Sequence, residues 1–312
     1  MQSESLTVTN KKNRIGGNGM LYVLALPGLI YLLLFCYLPL GGLIIVFKNY
    51  NFIDGIFGSP WVGLDNFRFF FSSFDKAWRA TQNTVILNGM YIVFGTIVSV
   101  ALAIMFNEIR RKKFLMITQS ISFFPYFISW AVAGGLLLTV IDFDKGTLEQ
   151  LIAWLGFEKI DFFTEASYWP AILTVANVWK FAGYNSIIYF AVLTNLDQSY
   201  YESASIDGAS RLQMMWRISI PLLKPTVIIL TLLAIGRIFY GDLTMMMGLT
   251  NLNPMLFPTT DIIDTFVYRT VIKNGEFAMA SAVGLYQSIF GFILVYVFNY
   301  VSGRFDKEYK LF

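Results

Sequence analysis

The chain has 312 residues, 56% of them hydrophobic and 14% charged, with a formal net charge of +3. Soluble domains carry about 25% charged residues and less apolar content, so the composition excludes a water-soluble fold and indicates a polytopic membrane protein. There is no histidine, which removes the commonest general base and metal ligand.

A bilayer core about 30 Å thick needs about 20 mostly apolar helical residues. Behind a polar tail at 1–19, predicted to be disordered or to lie on the membrane surface, six windows meet this requirement: 20–47, 84–106, 115–141, 168–193, 226–248 and 279–301. The first is too long for a cleavable signal peptide and lacks a small-residue cleavage site. Pro27, Pro39, Pro125, Gly134 and Gly135 fall inside windows, which membrane helices tolerate. The link 49–80 carries Gly55, Gly58, Pro60, Gly63 and several aromatics. It is expected to fold onto the membrane face, with Phe67–Phe74 as interfacial packing. Further links cover 142–167 and 249–278, and Asp142/Asp144 and Asp261/Asp264 within them read as solvated loop charges. Met245–Met247 reads as adaptable packing beside a moving element. No Gly/Ser-rich linker or internal repeat divides the chain. One transmembrane domain is expected over 20–301, with short tails at 1–19 and 302–312.

Basic residues crowd one side of this topology. Lys11, Lys12 and Arg14 precede the first window, and Arg110–Lys113 lie between the second and third. Arg211, Arg217 and Lys224 lie between the fourth and fifth, and Arg304, Lys307 and Lys310 follow the sixth. The opposite loops spread Lys48, Arg68, Lys76, Arg79, Lys145, Lys159, Arg269 and Lys273 over longer stretches. The positive-inside rule then places both termini and residues 196–225 in the cytoplasm.

The only cysteine, Cys36, lies within the first window, so no intrachain disulfide forms. No G-x-x-x-x-G-K-[ST] run provides a nucleotide site, no metal-ligand cluster stands out, and no basic, aromatic-interleaved patch indicates nucleic acid. Nothing assembles an enzyme, and no cofactor is expected on this chain.

The polar segment Glu202–Pro225 interrupts two apolar windows. Asp197 or Ser199 offers an N-cap for a helix running to Ile206, and Gly208 permits a sharp turn. A second helix from about Ser210 follows, with Asp207 as its expected cap and Glu202 favourable to the first helix through the dipole. Leu212, Met215, Trp216 and Ser219 recur at three and four, and Pro221 and Pro225 are expected to end that helix. Trp216 has the character of an anchor for a partner's pocket.

The string E-x-A-x-x-D-G-A, followed by an aromatic and I-x-[LI]-P, resembles the EAA loop of binding-protein-dependent ABC importer permeases. Leu26-Pro27-Gly28, Phe47-Lys48-Asn49-Tyr50, Gly58–Phe67 and Phe123–Trp130 are similar to segments of carbohydrate and oligosaccharide permeases, extending the likeness over nearly the whole chain. The resemblance implies an all-α polytopic membrane bundle of about six transmembrane helices with a cytoplasmic coupling-helix loop at 196–225. It assigns ATPase coupling to Glu202, Ala204, Asp207, Gly208, Ala209, Trp216, Ile218 and Pro221. Ser203, Trp216 and Ile220 depart from the usual Ala, Phe and Leu. The implied partners are a second homologous permease, a cytoplasmic ATPase dimer carrying ATP and Mg, an extracytoplasmic substrate-binding (lipo)protein and a sugar, all at a bacterial cell membrane.

Polar groups inside spans tend to face a bundle interior or a water-filled path. Asn177, Lys180, Tyr184 and Asn185 in the fourth window, Arg237, Tyr240 and Asp242 in the fifth, and Tyr286 and Gln287 in the sixth are therefore candidate substrate-path residues. The alternative is interhelical polar glue, with Lys180 snorkelling and Arg237 paired to Asp242. Beside the ATP-driven importer stand a secondary transporter, which calls for mid-membrane acids or broken helices in paired halves, and a non-transporting scaffold.

Overall fold

The computed structural model of the protein describes residues 19–72 and 74–305. Among these, every regular element is helical apart from one isolated antiparallel bridge, Lys48 to Trp61. Four helices are long and apolar enough to cross a membrane alone: Gly19–Phe47, Asp75–Glu108, Arg211–Ile235 and Phe277–Arg304. A bent pair, Lys112–Phe127 with Trp130–Ile141, brings the number to five when counted as one span. Trp169–Thr194, with 26 residues, has the length of a sixth. Each expected window thus falls on helix over most of its length. The tails, apart from residue 19 and residues 302–305, and the side chains of residues 69–74 in the Phe-rich run lie outside the described residues.

Contacts divide the chain into two units, one ending at Asn66 and the other starting at Phe67. The first contains α1, Gly19–Phe47. It passes from α-helix through a π turn at Leu33–Tyr37 into a 3-10 segment at Leu38–Phe47. Pro39 lacks an N–H and crowds the carbonyl four residues back, at Phe35, inside the widened turn. Beyond α1 the chain closes on itself. The Asn49 N–H donates to the Pro60 carbonyl at 2.9 Å and the Val62 N–H to that of Phe47 at 2.9 Å. Lys48 is buried beneath Trp61, its Nζ donating to the carbonyls of Ile56 at 2.8 Å and Phe57 at 2.9 Å. Those carbonyls end a short helical turn, where a cation is favoured.

The second unit holds α2 (Phe74–Glu108), α3 (Lys112–Phe123), α4 (Trp130–Ile141), α5 (Thr147–Trp154), α6 (Trp169–Thr194), α7 (Ser199–Ile206), α8 (Arg211–Ile235), α9 (Leu243–Thr250), α10 (Ile263–Asn274) and α11 (Phe277–Phe305). The most extensive packing joins α2 to α6, followed by α4 to α9. A Cβ on Gly134 would collide with the Gly248 carbonyl, and one on Gly248 with that of Trp130. Here α4 and α9 meet backbone to backbone, as small residues allow in membranes. Trp130, Trp169, Leu173, Met245, Met246 and Leu249 form the core around this contact. Met245 and Met246 are thus buried in this core.

Two windows expected as continuous helices are broken. The stretch 115–141 bends by 102° between Phe127 and Trp130, where Ser129 turns extended and its hydroxyl caps Val132. The stretch 226–248 leaves helix after Ile235 and re-enters it at Leu243. Backbone groups freed within a membrane must be satisfied by the protein, and neighbouring side chains do this. Lys180 of α6 donates to the carbonyls of Tyr126 (3.1 Å) and Ile128 at the bend. At the gap, Asn88 donates to the carbonyls of Ile238 (2.8 Å) and Tyr240 (3.0 Å). Gln287 donates to that of Phe239 (2.7 Å), and Asp264 accepts from the Gly241 N–H (2.7 Å).

Two further expectations are corrected. Pro221 and Pro225 do not end a helix, because α8 runs unbroken from Arg211 to Ile235. A π turn at Met215–Ser219 lies immediately before Pro221 and absorbs its ring and missing N–H. Asp261 and Asp264 are not solvated loop charges. Asp261 is buried and ion-paired to Arg269 at 2.8 Å, and Asp264 holds the gap described above.

Candidate functional site: a polar cavity and a cytoplasmic turn

The walls of one cavity are set by helical spacing. On α2, Asn88, Tyr91, Gly95 and Ser99 recur at three and four and share a face, with Thr96 beside it. On α6, Asn177, Phe181 and Asn185 recur at four. Thr231 and Ala234 of α8 and the gap residues Arg237, Tyr240, Gly241 and Asp242 complete the lining. The enclosed volume is about 440 Å³, within the range of small-molecule sites. The hydroxyls of Tyr91 and Ser99 are buried on this wall with no hydrogen-bond partner among the described residues. Buried hydroxyls left unpaired are costly, so a small rotation of either side chain toward the cavity would be favoured by a partner there.

Asn177, Asn185, Arg237, Tyr240 and Asp242 are therefore brought together in one cavity wall, whereas Lys180, Tyr184, Tyr286 and Gln287 are not part of the lining. Lys180 and Tyr184 are turned from the Asn177–Phe181–Asn185 face toward the bent span. Lys180 does not snorkel. It caps the bend with its ammonium 5.1 Å from the Trp130 ring, and Tyr184 stacks on Tyr126 at 4.3 Å. Tyr286 packs on Phe239 and Phe290, and Gln287 supports the gap. The Arg237–Asp242 pair does not form. Asp242 accepts from Trp130 Nε1 at 2.6 Å, the Thr244 hydroxyl at 2.6 Å and the Met245 N–H at 2.9 Å, capping α9. Sequence reasoning missed Asn88, Tyr91, Thr96 and Ser99. Their signal was a polar stripe at three-and-four spacing on an otherwise apolar second window.

The polar segment builds its turn from named backbone bonds. Helix α7 ends as a Schellman motif: the Ala209 N–H donates to the Ala204 carbonyl at 2.9 Å and the Gly208 N–H to the Ser205 carbonyl at 3.1 Å. Gly208 is left-handed, with φ +80°, and Ala204 and Ala209, half-buried, occupy the positions that pack across the motif. The E-x-A-x-x-D-G-A spacing thus encodes a helix stop. The cap of the following helix is Ser210, not Asp207. Ser210 and Gln213 form a reciprocal capping box, while Asp207 closes α7. At the start of α7, Asp197 accepts from the Ser199 N–H at 2.9 Å. That backbone donor, then the Ser199 hydroxyl, holds the Asp197 carboxyl below its usual range.

The four residues expected on one face divide between two. Leu212 and Trp216 are exposed, whereas Ser219 is buried and Met215 packs inward against Tyr189, Leu193 and Leu223. The π turn starting at Met215 offsets the stripe. Ile206, 86% exposed, joins Leu212 and Trp216 (61%) to make an apolar surface around the turn, edged by the exposed Glu202, Asp207 and Pro221, with Ile218 half-buried. Tyr201 and Ser219 share a 3.0 Å hydrogen bond, and Arg211 pairs with Glu108 at the end of α2 at 2.9 Å. These contacts tie the turn to the bundle.

Residues 92–307 match the family described as the binding-protein-dependent transport system inner membrane component. The protein LplB of Bacillus subtilis (strain 168) is 35% identical over 289 residues, covering 92% of this chain and 90% of that protein. The polygalacturonan/rhamnogalacturonan transport system permease protein YteP of the same organism is 34% identical over 292 residues, covering 92% and 89%. A crystal structure of a bacterial ABC transporter involved in the import of the acidic polysaccharide alginate contains a chain that superposes with a TM-score of 0.82. That chain is 32% identical, with 94% of this chain and 98% of that one covered. Fold, turn motif and kinship agree: the chain belongs to the inner membrane components of binding-protein-dependent ABC transport systems.

Proposed function

We propose that this permease passes an oligosaccharide, delivered by an extracytoplasmic binding protein, through the cavity between α2, α6 and the Gly236–Asp242 gap into the cytoplasm by alternating access. The observation that carries this is the cavity itself, where amides, two unpartnered buried hydroxyls and aromatic rings line one volume. Sugars are held by that mixture, hydroxyls by amide and hydroxyl groups and C–H faces by rings. YteP, named for pectic polysaccharides, and the alginate importer support a polysaccharide-derived solute.

Residues 20–301 act in this reading as one transmembrane domain. ATP and Mg belong to a separate cytoplasmic ATPase dimer, which receives Ile206, Leu212 and Trp216. The turn formed by Glu202, Ala204, Asp207, Gly208 and Ala209, with Ile218 and Pro221 behind it, transmits ATPase closure to α8. A second homologous permease completes the pore in a bacterial cell membrane, with both termini cytoplasmic. A secondary transporter would need a carboxylate free to exchange protons or ions. Both breaks, at Phe127–Trp130 and at Gly236–Asp242, would suit such a transporter, but the one cavity carboxylate, Asp242, is held by three donors.

Uptake into vesicles containing the permease pair and the ATPase tests the proposal. Asn177→Leu and Asn185→Leu should each depress uptake with ATPase binding intact. Unchanged uptake in both would remove the cavity from the path.

A further inference from the structure

The charges on the cavity wall are unequally engaged, and on the importer reading above this identifies the kind of sugar carried. Two charged residues line the cavity, Arg237 and Asp242. Asp242 is occupied by Trp130, Thr244 and Met245, which fill three of about four lone-pair sites on a carboxylate. Arg237 is exposed on the wall, and its guanidinium makes no hydrogen bond or ion pair among the described residues. Asn88, the amide of α2 that lines the cavity, has its donor committed to the carbonyls of the gap. The wall therefore offers a solute one free guanidinium and no free carboxylate.

Ionised groups within membrane proteins are costly and are found with a counter-charge or a water-filled path. The planar guanidinium fork matches a carboxylate with two parallel hydrogen bonds. We propose that Arg237 is the carboxylate-binding residue of the solute path, and that the solute is an acidic oligosaccharide containing uronate units. A neutral oligosaccharide would leave the Arg237 guanidinium without a paired carboxylate at each passage. In the empty cavity water hydrates it.

The test uses the complete complex of both permeases, ATPase and binding protein in proteoliposomes. Its probes are trigalacturonate, trimannuronate and their methyl esters, which keep the sugar and remove the charge. Arg237→Gln should lower uptake of at least one free acid by about 10- to 100-fold, the span expected for one charged hydrogen-bond pair. It should leave ester uptake and complex assembly near wild type, and Arg237→Lys should recover part of the loss. Equal losses for acid and ester, or no loss for the acid, would overturn the assignment. Wild-type uptake confined to neutral oligosaccharides would remove the acidic solute and leave the importer standing. Failure to take up any saccharide would count against the importer itself.

Discussion

Gly208 can be tested against a matched control within the same chain. Its φ is +80°, that of Gly156 in the loop after α5 is +83°, and a Cβ added at either meets nothing within 4 Å. Alanine at each position therefore carries the same penalty, the left-handed backbone alone, about 1–2 kcal/mol. That is a factor of roughly 5–30 in the population of the native turn. If the ATPase docks on the turn held by the Ala209–Ala204 and Gly208–Ser205 bonds, Gly208→Ala should weaken its apparent affinity by up to that factor. Gly156→Ala should leave it unchanged. Gly208→Asn should fall between, since Asn visits this conformation more readily. Titrating purified ATPase against the solubilised permease pair measures all three. Equal weakening by Gly156→Ala and Gly208→Ala, or full affinity in Gly208→Ala, would refute the docking geometry.

The other predictions concern the supports around the two sites. Lys180→Met should lower the melting temperature of the solubilised protein, because the Tyr126 and Ile128 carbonyls lose their donor at about 1–3 kcal/mol each. An unchanged melt would show that the bend holds itself. Trp216→Ala should cost about 2 kcal/mol in ATPase affinity, the scale of an interface anchor, without altering the melt, since its side chain is exposed. Wild-type affinity in that variant would remove Trp216 from the interface. Asp197 is held below the usual carboxylate range by the Ser199 N–H, so its contribution is present above the unfolded value of about 3.9 and is lost as pH falls through its lower folded value. Asp197→Asn should flatten the acid side of the melting profile, and an unchanged profile would contradict that assignment.

The spans were legible because the apolar windows at 20–47 and 279–301 have no competing reading as soluble helix. The turn was legible because Asp207-Gly208-Ala209 is a local stop signal whose hydrogen bonds close within six residues. Its cap was misjudged because Asp207 and Ser210 are both good N-cap residues, and only the Schellman bonds decide which helix each serves. The breaks at Phe127–Trp130 and Gly236–Asp242 were hidden inside windows whose average hydropathy stays high. Their stability comes from Lys180, Asn88, Gln287 and Asp264, which are distant in sequence. The cavity was half legible for the same reason. The cavity draws on intramembrane polar residues, but the rotation of α6 decides that Asn177 and Asn185 face the cavity while Lys180 and Tyr184 face the bend.

The central claim is that ATP hydrolysis on a partner chain drives a sugar past the wall formed by Asn177, Asn185 and Arg237. Uptake of labelled oligosaccharide by proteoliposomes, with ATP enclosed and the binding protein outside, measures it most directly. Accumulation should require both ATP and binding protein and should fall with Gly208→Pro. Accumulation driven by an ion gradient without ATP, or unaffected by Gly208→Pro, would contradict the account.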